Sequence, residues 1–376
     1  MALHCIVSSH ELLDGLNSFQ NITNKKGTLA ILANIKIETS NDGIILTGTD
    51  LEVGSRVFIS AEIQEEGSLT LPSKKLFEIV RESGSNEIIL QETENSWAII
   101  KTGLSTYNLA GTASDEFPEF PEYDDENFVS FESHIFLDLI DKVIFSIANE
   151  QENIYSLTSV LFEKEKKDDK SYLRMISSDG HRLSIMEKDV ATDVDQLQLN
   201  EITLIPKKGI QELKKFCEKR DSVEISFETK QMVVRDDEAV MIVRLKQGEF
   251  PQYRSIIDAV QLNNCLEISR IPFLEALKRI NLFTEDIFHT IQLKIENDTM
   301  ILSSQNADIG SARDEQAVTY SGEPLVLGFN CRYFIETLQV MSCDTVKAYI
   351  NSNNSPCLMK SDADQGFLSI IMPMQL

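Results

Sequence analysis

The chain places an acid, a glycine, a histidine and an arginine side by side in the segment Ser177–Leu183. As an active site, this segment would use Asp179 to orient His181 as a general base, or Arg182 to hold an anion. As a structural element, it is a tight Asp-Gly turn, because apolar and β-branched residues typical of strands stand on both sides of it. The choice between these two interpretations depends on the rest of the chain.

The composition indicates a multidomain protein without a generally basic surface. At 376 residues, 42% of them hydrophobic, the chain is long enough for two or three domains. Its 60 acidic and 35 basic residues give a formal net charge of −25. Such a charge disfavours an open, basic surface for nucleic acid, but it is compatible with local basic faces.

Neither a metal, a cofactor nor a membrane is indicated. The six cysteines are scattered and form no Cys-x-x-Cys pair, which argues against a zinc site and against a disulfide framework. The sequence has no phosphate-binding loop, dinucleotide glycine signature or nucleophile elbow. The N-terminus lacks a basic region before an apolar core, and no apolar run approaches the ~18 residues of a membrane span, so we expect a cytoplasmic protein.

The same order of helices and strands recurs three times along the chain. Each copy predicts a helix, a group of strands, a second helix and a further group of strands that ends near a proline. Helices are predicted after Ser8, after Pro72, across Ile140–Ile147, after Pro206, at Pro272 and across Asn330–Val340. The copies end near Phe117-Pro118, Phe250-Pro251 and Met372-Pro373.

The spacing of corner residues supports this repeat. Asp50, Asp179 and Asn306 follow comparable strands and are separated by 129 and 127 residues, close to a third of the chain. We therefore predict an α+β fold of three tandem copies, each with two helices and about eight short, mostly antiparallel strands. The expected domains are 1–127, 128–262 and 263–376, with boundaries in polar stretches.

The repeat weakens the catalytic interpretation of Ser177–Leu183. At the equivalent corners, Gly180-His181-Arg182 is replaced by Leu51-Glu52-Val53 and by Ala307-Asp308-Ile309. The copies share only the aspartate or asparagine, whose side chain stabilises such turns without catalysis. With only five histidines in the chain and no partner motif, we predict that the protein is not an enzyme.

Two of the predicted helices are basic in this acidic protein. Their basic residues are Lys74, Lys75 and Arg81 in the first copy, and Lys207, Lys208, Lys214, Lys215, Lys219 and Arg220 in the second. Repeated cationic faces could line a surface that meets a polyanion through sequence-independent phosphate contacts. Solvated helix faces are the alternative that composition leaves open.

The final segment, Phe367–Leu376, stays apolar to the last residue, which is unusual for a terminus. It is expected to be the closing strand of the third copy. Beyond that strand, two methionines and a leucine would form an adaptable apolar lining for a partner's side chains.

Six motifs spread over the whole chain resemble the bacterial β sliding clamp family, the processivity subunits of the replicative DNA polymerase III. They are Leu46–Glu52, Leu71–Phe77, Ser178–Leu183, Gly248–Arg254, Gly328–Tyr333 and Ile371–Leu376. The resemblance implies a head-to-tail homodimer whose six domains close a ring around double-stranded DNA, with helices lining the hole. It also implies that the replicative polymerase catalytic subunit, the clamp loader and repair polymerases are partners. In such a ring, acidic surface faces outward while basic inner helices meet phosphates.

The resemblance further implies three groups of site residues. The DNA-facing positions are Lys26, Lys74, Lys75, Gln151, Tyr155, Lys207 and Lys208. The pocket for short partner motifs, between domains two and three, comprises Leu157, Ser178, Gly180, His181, Arg182, Leu183, Pro251, Ile256, Tyr333, Ile370, Met372, Pro373, Met374 and Leu376. The dimer contact would join Tyr107 and Leu109 to Leu282 and Phe283 of the other subunit.

Two other functional classes stay open from the sequence. A repeat-built interaction scaffold that never encloses DNA would be a monomer at micromolar concentration. An enzyme would lose turnover on His181→Ala while keeping peptide binding, but no motif indicates its substrate.

Overall fold

The computed structural model describes residues 2–23, 29–149, 155–284, 289–306, 308–352 and 354–375. Of Tyr155, it describes the backbone but not the side chain. Three predicted site residues, Lys26, Gln151 and Leu376, therefore lie outside the described residues, as does the side chain of Tyr155. In the described ranges, the chain forms seven α-helices and 25 β-strands. None of the helices in these ranges combines the length and apolar character that a membrane-spanning helix requires.

The helices and strands follow the predicted repeat. The helices are α1 (Ser9–Asn17), α2 (Ser73–Arg81), α3 (Ser133–Asp141), α4 (Lys207–Glu218), α5 (Tyr253–Asp258), α6 (Arg270–Asn281) and α7 (Cys331–Val340). The strands of the first copy are β1 (His4–Ser8), β2 (Asn34–Ser40), β3 (Gly43–Thr49), β4 (Val53–Glu65), β5 (Ser68–Pro72), β6 (Glu87–Glu92), β7 (Trp97–Thr102) and β8 (Ser105–Ala110). Those of the second are β9 (Val129–Glu132), β10 (Ser159–Lys167), β11 (Lys170–Ser178), β12 (Arg182–Val190), β13 (Thr203–Pro206), β14 (Ser222–Phe227), β15 (Gln231–Arg235) and β16 (Ala239–Arg244). Those of the third are β17 (Cys265–Ser269), β18 (Thr290–Glu296), β19 (Thr299–Asn306), β20 (Gly310–Ala317), β21 (Thr319–Tyr320), β22 (Leu325–Asn330), β23 (Thr345–Tyr349), β24 (Cys357–Lys360) and β25 (Phe367–Ile371).

The predicted α+β fold of three tandem copies is thus confirmed. Among the described residues, the first and second copies each have two helices and eight antiparallel strands, and the third has two helices and nine strands. The short helix α5 stands between the second and third copies and was not predicted.

Most predicted helix starts agree with the structure, but one helix is shorter than its sequence pattern. The Ser8 hydroxyl caps α1 by accepting a hydrogen bond from Glu11 N at 3.4 Å, as the capping-box spacing predicts. The prediction of a helical face across Ile140–Ile147 is wrong in extent, because α3 ends at Asp141 and only Ile144–Ser146 form a further 3-10 turn. β-branched residues favour the helix less, and Val143 and Ile147 are buried without a continuous helix.

One compact unit contains residues 1–134, 195–200 and 208–245. It holds a twelve-stranded sheet with the path β8-β7-β6-β1-β4-β16-β15-β14-β9, to which β2, β3 and β5 are joined through the β3–β4 pair. Strands β4 and β16 pair antiparallel, from Val53 opposite Val243 to Val57 opposite Ala239. This pair makes one continuous sheet from strands of the first and second copies.

The other compact unit contains residues 135–194, 201–207 and 246–376. Its larger sheet has nine strands in the order β13-β10-β11-β12-β25-β24-β23-β17-β21, and a smaller sheet has the order β20-β19-β18-β22. Here β12 and β25 pair antiparallel, from Arg182 opposite Ile371 to Met186 opposite Phe367. Again the strand after the corner of one copy pairs with the last strand of the next copy.

The helices pack in pairs within each unit. In the first unit α1 packs against α2, and in the second α6 packs against α7. The α6–α7 contact is filled by Phe273 and Phe334, whose ring centroids are 5.9 Å apart. Burial of these apolar faces leaves the polar face of each helix at the surface.

The approach of β25 to β12 depends on a glycine. Gly366, just before β25, has a φ of +83°, and a Cβ added there would lie 2.0 Å from the carbonyl oxygen of Glu187. The Glu187 N–H donates to the Gly366 carbonyl at 3.0 Å. A side chain at this position would therefore force the two strands apart.

We expect Gly366→Ala to lower the free energy of unfolding by about 2–4 kcal/mol, because the substitution combines a backbone clash with an unfavourable φ. Gly84→Ala is the matched control, since a Cβ added at Gly84 would meet nothing within 4 Å. Urea unfolding of the two variants measures the difference. Equal stability of both variants would contradict this account of the strand approach.

Candidate functional site

The same turn, stabilised by a side chain, occurs at the corner of each copy. The Oδ1 atom of Asp179 accepts hydrogen bonds from the backbone N–H groups two and three residues later, both at 3.0 Å. Asp50 accepts the equivalent pair at 3.0 and 2.8 Å, and Asn306 at 2.9 and 3.2 Å. The interpretation of the shared residue as a turn residue is thereby confirmed.

The corner of the second copy has a flatter surface than that of the first. Gly180 has a φ of +88°, and Leu51 at the equivalent position has a φ of +73°. A residue with a side chain can therefore occupy this turn position. In the first copy that residue is Leu51, which is 53% exposed. At Gly180 a Cβ would meet only Leu157 Cδ1, at 3.9 Å. The glycine thus leaves the backbone exposed where the first copy has a protruding side chain, above the buried Leu157.

The carboxylate of Asp179 does not orient the ring of His181. Its Oδ1 atom holds the turn, and its Oδ2 atom accepts a hydrogen bond from Arg182 Nε at 2.9 Å. The His181 residue is exposed. The acid-base pair that a catalytic interpretation requires is therefore not formed.

Arg182 holds the corner in place and offers no free donor nitrogen to an anion. Its guanidinium, 8% exposed, bonds Asp179, the carboxylate of Glu336 on α7, and the Phe145 carbonyl through Nη2 at 2.6 Å. It also lies over the Tyr333 ring, 4.4 Å from the centroid. A buried arginine whose three nitrogens are all engaged supports the structure rather than binding an anion, because freeing it would leave a buried charge unpaired.

The C-terminal segment forms the neighbouring wall. Beyond β25, the Met372 N–H donates to the His181 carbonyl at 2.9 Å, and the Met374 N–H donates to the Gly328 carbonyl at 2.8 Å. Met372 is 40% exposed, whereas Ile370 and Leu183 beside it are buried at 1% and 3%. The tail therefore continues the surface of the Gly180-His181 corner with an exposed methionine.

The structure brings most of the predicted pocket residues together within one unit. Strand pairing and the contacts above join Leu157, Ser178, Gly180, His181, Arg182, Leu183, Tyr333, Ile370, Met372 and Met374, with Pro373 between the last two. Pro251 and the 36% exposed Ile256 lie at α5, whose Tyr253 and Ile257 pack on the same apolar cluster as Leu183 and Ile370.

Two supporting groups of this site have no signal in the sequence. Glu336 and the Phe145 carbonyl hold the guanidinium of Arg182 from positions distant in the sequence. No local pattern marks either contact. The Phe145 carbonyl lies 37 residues from Arg182 in the same copy, and Glu336, 154 residues away, comes near Arg182 only because β12 pairs with β25.

A buried ion pair fixes the turn that leads into β25. The Asp364 carboxylate, with a side chain 2% exposed, accepts hydrogen bonds from Lys142 Nζ at 2.6 Å, Ser361 Oγ at 2.7 Å and Ser342 N at 2.9 Å. Burial alone would raise the pKa of Asp364, but these donors outweigh it and lower the pKa from 3.8 to about 2. The charged form is therefore part of the folded structure.

Because the folded pKa of Asp364 lies below the unfolded value, its stabilisation is present above pH 4 and is lost as the pH falls through about 2. We expect Asp364→Asn to lower the free energy of unfolding at pH 7 by about 1–2 kcal/mol, a difference that shrinks as the pH approaches 2. The control is Asp362→Asn, because the side chain of Asp362 is 85% exposed and its pair with Lys347 contributes little. A pH-independent difference for Asp364→Asn would contradict the assignment.

Several basic side chains of α4 are paired with acids of the same unit. Lys208 Nζ bonds the carboxylate of Asp50, whose side chain is 3% exposed. The other ion pairs are Lys214–Glu218 at 3.9 Å, Lys215–Glu212 at 3.3 Å, Lys219–Asp14 and Arg220–Asp236. On α2, Lys74 and Lys75 are exposed, and Lys75 bonds Glu78 at 2.6 Å. The basic helices are therefore less charged in effect than their sequences suggest.

The residues predicted for the dimer contact lie on one edge strand and at the end of α6, near a second edge strand. Tyr107 and Leu109 are on β8, which ends the twelve-stranded sheet and pairs with β7. Leu282 is 71% exposed, and Phe283 lies next to Gly310 at the start of β20, the edge strand of the four-stranded sheet. Each group thus stands beside a strand with an open edge.

Three family models match the sequence, in the order of the three repeats. They describe the DNA polymerase III beta subunit, with its N-terminal domain at residues 3–121, its central domain at 130–252 and its C-terminal domain at 260–375.

Curated relatives agree over the whole length. The chain is 26% identical to a beta sliding clamp of Chlamydia pneumoniae over 371 residues, which covers 99% of this chain and 98% of that protein. It is 27% identical to a beta sliding clamp of Vibrio cholerae over 374 residues, which covers 99% of each.

Solved structures have the same fold. A sliding clamp of Bartonella birtlesii, bound to griselimycin, superposes with a TM-score of 0.93 at 26% identity and full coverage of both chains. A putative DNA polymerase III beta subunit of Eubacterium rectale gives a TM-score of 0.90 at 25% identity, again over both whole chains.

Proposed function

Because the chain belongs to the DNA polymerase III beta subunit family, we propose that it is a sliding clamp: it encircles double-stranded DNA and tethers the replicative polymerase catalytic subunit for processive synthesis. The observation that carries this proposal is the match of all three family domains to the three repeats. The protein acts by topology rather than by catalysis, needs no cofactor, and works in the cytoplasm where the DNA is. Its clamp domains are 1–127, 128–262 and 263–376.

The partner pocket of this clamp is the surface formed by the Gly180-His181 corner, Met372 and α5. Short motifs of the polymerase, the clamp loader and repair polymerases bind there. The exposed Met372 and Ile256 supply apolar contact area, and the open backbone at Gly180 allows close approach of a peptide. Leu183, Ile370 and Arg182 support this surface from below.

The repeat itself suggests how two subunits join. Within the chain, the strand after each corner pairs with the last strand of the next copy, as β4 with β16 and β12 with β25. The third copy has the same strand, β20, at a sheet edge, and the first copy has its last strand, β8, at another. We infer a head-to-tail homodimer in which β20 of one subunit pairs with β8 of the other, with Phe283 and Leu282 against Tyr107 and Leu109. Two such contacts between the same two subunits would close a ring.

A second repeated contact supports the same arrangement. The corner of the first copy bonds the second helix of the next through Asp50 and Lys208, and the corner of the second copy does so through Arg182 and Glu336. The corner of the third copy carries the exposed Asp308, and the helix that would follow it is α2 of the other subunit, where Lys74 is exposed. Lys74 stands two residues after Pro72 as Lys208 stands two after Pro206.

We expect Lys74→Glu and Asp308→Lys each to weaken the dimer about 5- to 10-fold, because each places like charges at the contact. The double variant should recover most of the lost affinity. Sedimentation equilibrium measures the dissociation constant, with Lys75→Glu as the control on the same helix. A wild-type protein that is monomeric at micromolar concentration would instead favour an interaction scaffold that never encloses DNA.

A closed ring around the DNA explains how a protein with a net negative charge can stay on DNA. The DNA-facing residues would be Lys26, Lys74, Lys75, Gln151, Tyr155, Lys207 and Lys208, and the pairing of Lys208 with Asp50 reduces its attraction for phosphates. Weak, sequence-independent contacts permit sliding, while the closed ring prevents loss from the DNA.

Loaded onto nicked circular DNA by a clamp loader, the protein should remain on the DNA through gel filtration at moderate salt. After the circle is cut once, it should be lost from the ends, because topology and not affinity retains it. Gel filtration before and after linearisation measures both states. Equal loss from circular and linear DNA would rule out the clamp function.

A further inference from the structure

A second cavity lies beside the partner pocket, in the same compact unit. It has a volume of about 360 Å³ and is lined by Leu161, Ile202, Phe250, Pro251, Glu163 and Glu201, among others. Pro251 belongs both to this cavity and to the predicted partner pocket. The next turn of chain, α5, lines the cavity with Tyr253 and carries Ile256 of the partner pocket. We call this space the flanking cavity.

The flanking cavity lies at a motif that the first copy closes. The sequence Glu-Phe-Pro-x-aromatic occurs at residues 116–120 and again at 249–253. In the first copy, both aromatic residues, Phe117 and Phe120, are buried at 5% and 8%. In the second copy, Phe250 is only partly buried and Pro251 is exposed. The second copy thus leaves apolar surface open where the first copy packs it.

The polar groups of the flanking cavity give it a defined shape, with the acidic Glu201 among its lining residues and Arg254 held by Glu163. Glu163 Oε2 accepts hydrogen bonds from the buried Tyr253 hydroxyl at 2.6 Å, Arg174 Nη1 at 3.1 Å and Arg254 Nη2 at 3.1 Å. These bonds hold the floor rigidly. Glu201 at the rim is exposed, next to Ile202, which is 39% exposed. A peptide with an apolar residue followed by a cationic residue would match this surface, with the apolar residue against Ile202 and the cationic residue beside Glu201.

We propose that the flanking cavity is a second recognition site for the same partner peptide, which extends beyond its clamp-binding motif across Pro251. The site takes one apolar side chain between Ile202 and Phe250, and a lysine or arginine next to that side chain interacts with Glu201. This inference rests on the proposed partner pocket and adds to it a preference for residues outside the motif.

Two properties of the flanking cavity support this proposal: it shares Pro251 with the partner pocket, and it is large enough for one side chain. A cavity of 360 Å³ falls within the ~300–1,000 Å³ range of sites that hold a small ligand, so one large aliphatic side chain fits. Partial burial of a leucine side chain should give about a 5- to 20-fold gain in affinity. Because the partner pocket already fixes the peptide, the added contact costs little further entropy.

The experiment compares fluorescein-labelled peptides that share one clamp-binding motif from the replicative polymerase. One peptide carries Gly-Ser flanks, and the others carry Leu-Lys at one to four residues before or after the motif. Fluorescence anisotropy gives the affinity of each peptide for the full-length protein. We expect one Leu-Lys peptide to bind about 5- to 20-fold tighter than the Gly-Ser peptide.

Variants separate the flanking cavity from the partner pocket. Ile202→Ser should remove the gain while it leaves the Gly-Ser peptide within about 2-fold, and Glu201→Gln should reduce the gain. Ile271→Ser, at another exposed isoleucine, is the matched control and should keep the gain.

Two results would overturn the inference alone: no Leu-Lys peptide binds tighter than the Gly-Ser peptide, or Ile202→Ser weakens both equally. Failure of every peptide to bind the wild-type protein would instead refute the partner pocket, and the flanking cavity with it.

Discussion

The β12–β25 pairing is the contact on which the candidate site depends. Five residue pairs, from Arg182 opposite Ile371 to Met186 opposite Phe367, place the last strand of the third copy beside the corner of the second. Without that register, Met372 would not reach the His181 carbonyl, and Glu336 would not meet Arg182. Since side chains alternate between the two faces of a sheet, a slip of one residue would move Ile370 from the core to the surface.

Electrostatics in this chain mostly serve to connect elements. Arg182 and Lys142 are nearly buried and bond acids or carbonyls from other elements, and Lys208 is held by Asp50. Moving both charges of such a pair out of water costs free energy. Removing one partner costs more, because the other charge is then buried and unpaired. These ion pairs therefore specify which helix end meets which corner. This role is separate from their net contribution to stability, which is modest. The surplus of acidic residues is left for the exposed surface.

The parts of the fold that depend on local patterns could be predicted from the sequence. The sequence predicts Asp50, Asp179 and Asn306 as turn residues, because an oxygen acceptor placed two and three residues before its donors needs no distant partner. The helix across Ile140–Ile147 was overextended because apolar spacing alone does not distinguish a helix from buried irregular turns. The role of Arg182 could not be read, since Glu336 is 154 positions away and becomes its neighbour only through strand pairing. The pocket residues themselves came from family motifs, and their contact with partners is still a prediction.

The open edges of β8 and β20 have a consequence for assembly errors. A unit with two complementary ends can close on itself or add further units without limit, and only the angle turned per unit decides between the two outcomes. If β8 and β20 pair as proposed, a substitution far from either edge that changes this angle would convert rings into filaments while every individual contact is kept. Rigidity of the chain between its ends, and not the strength of the end contacts, would then determine whether the protein is soluble.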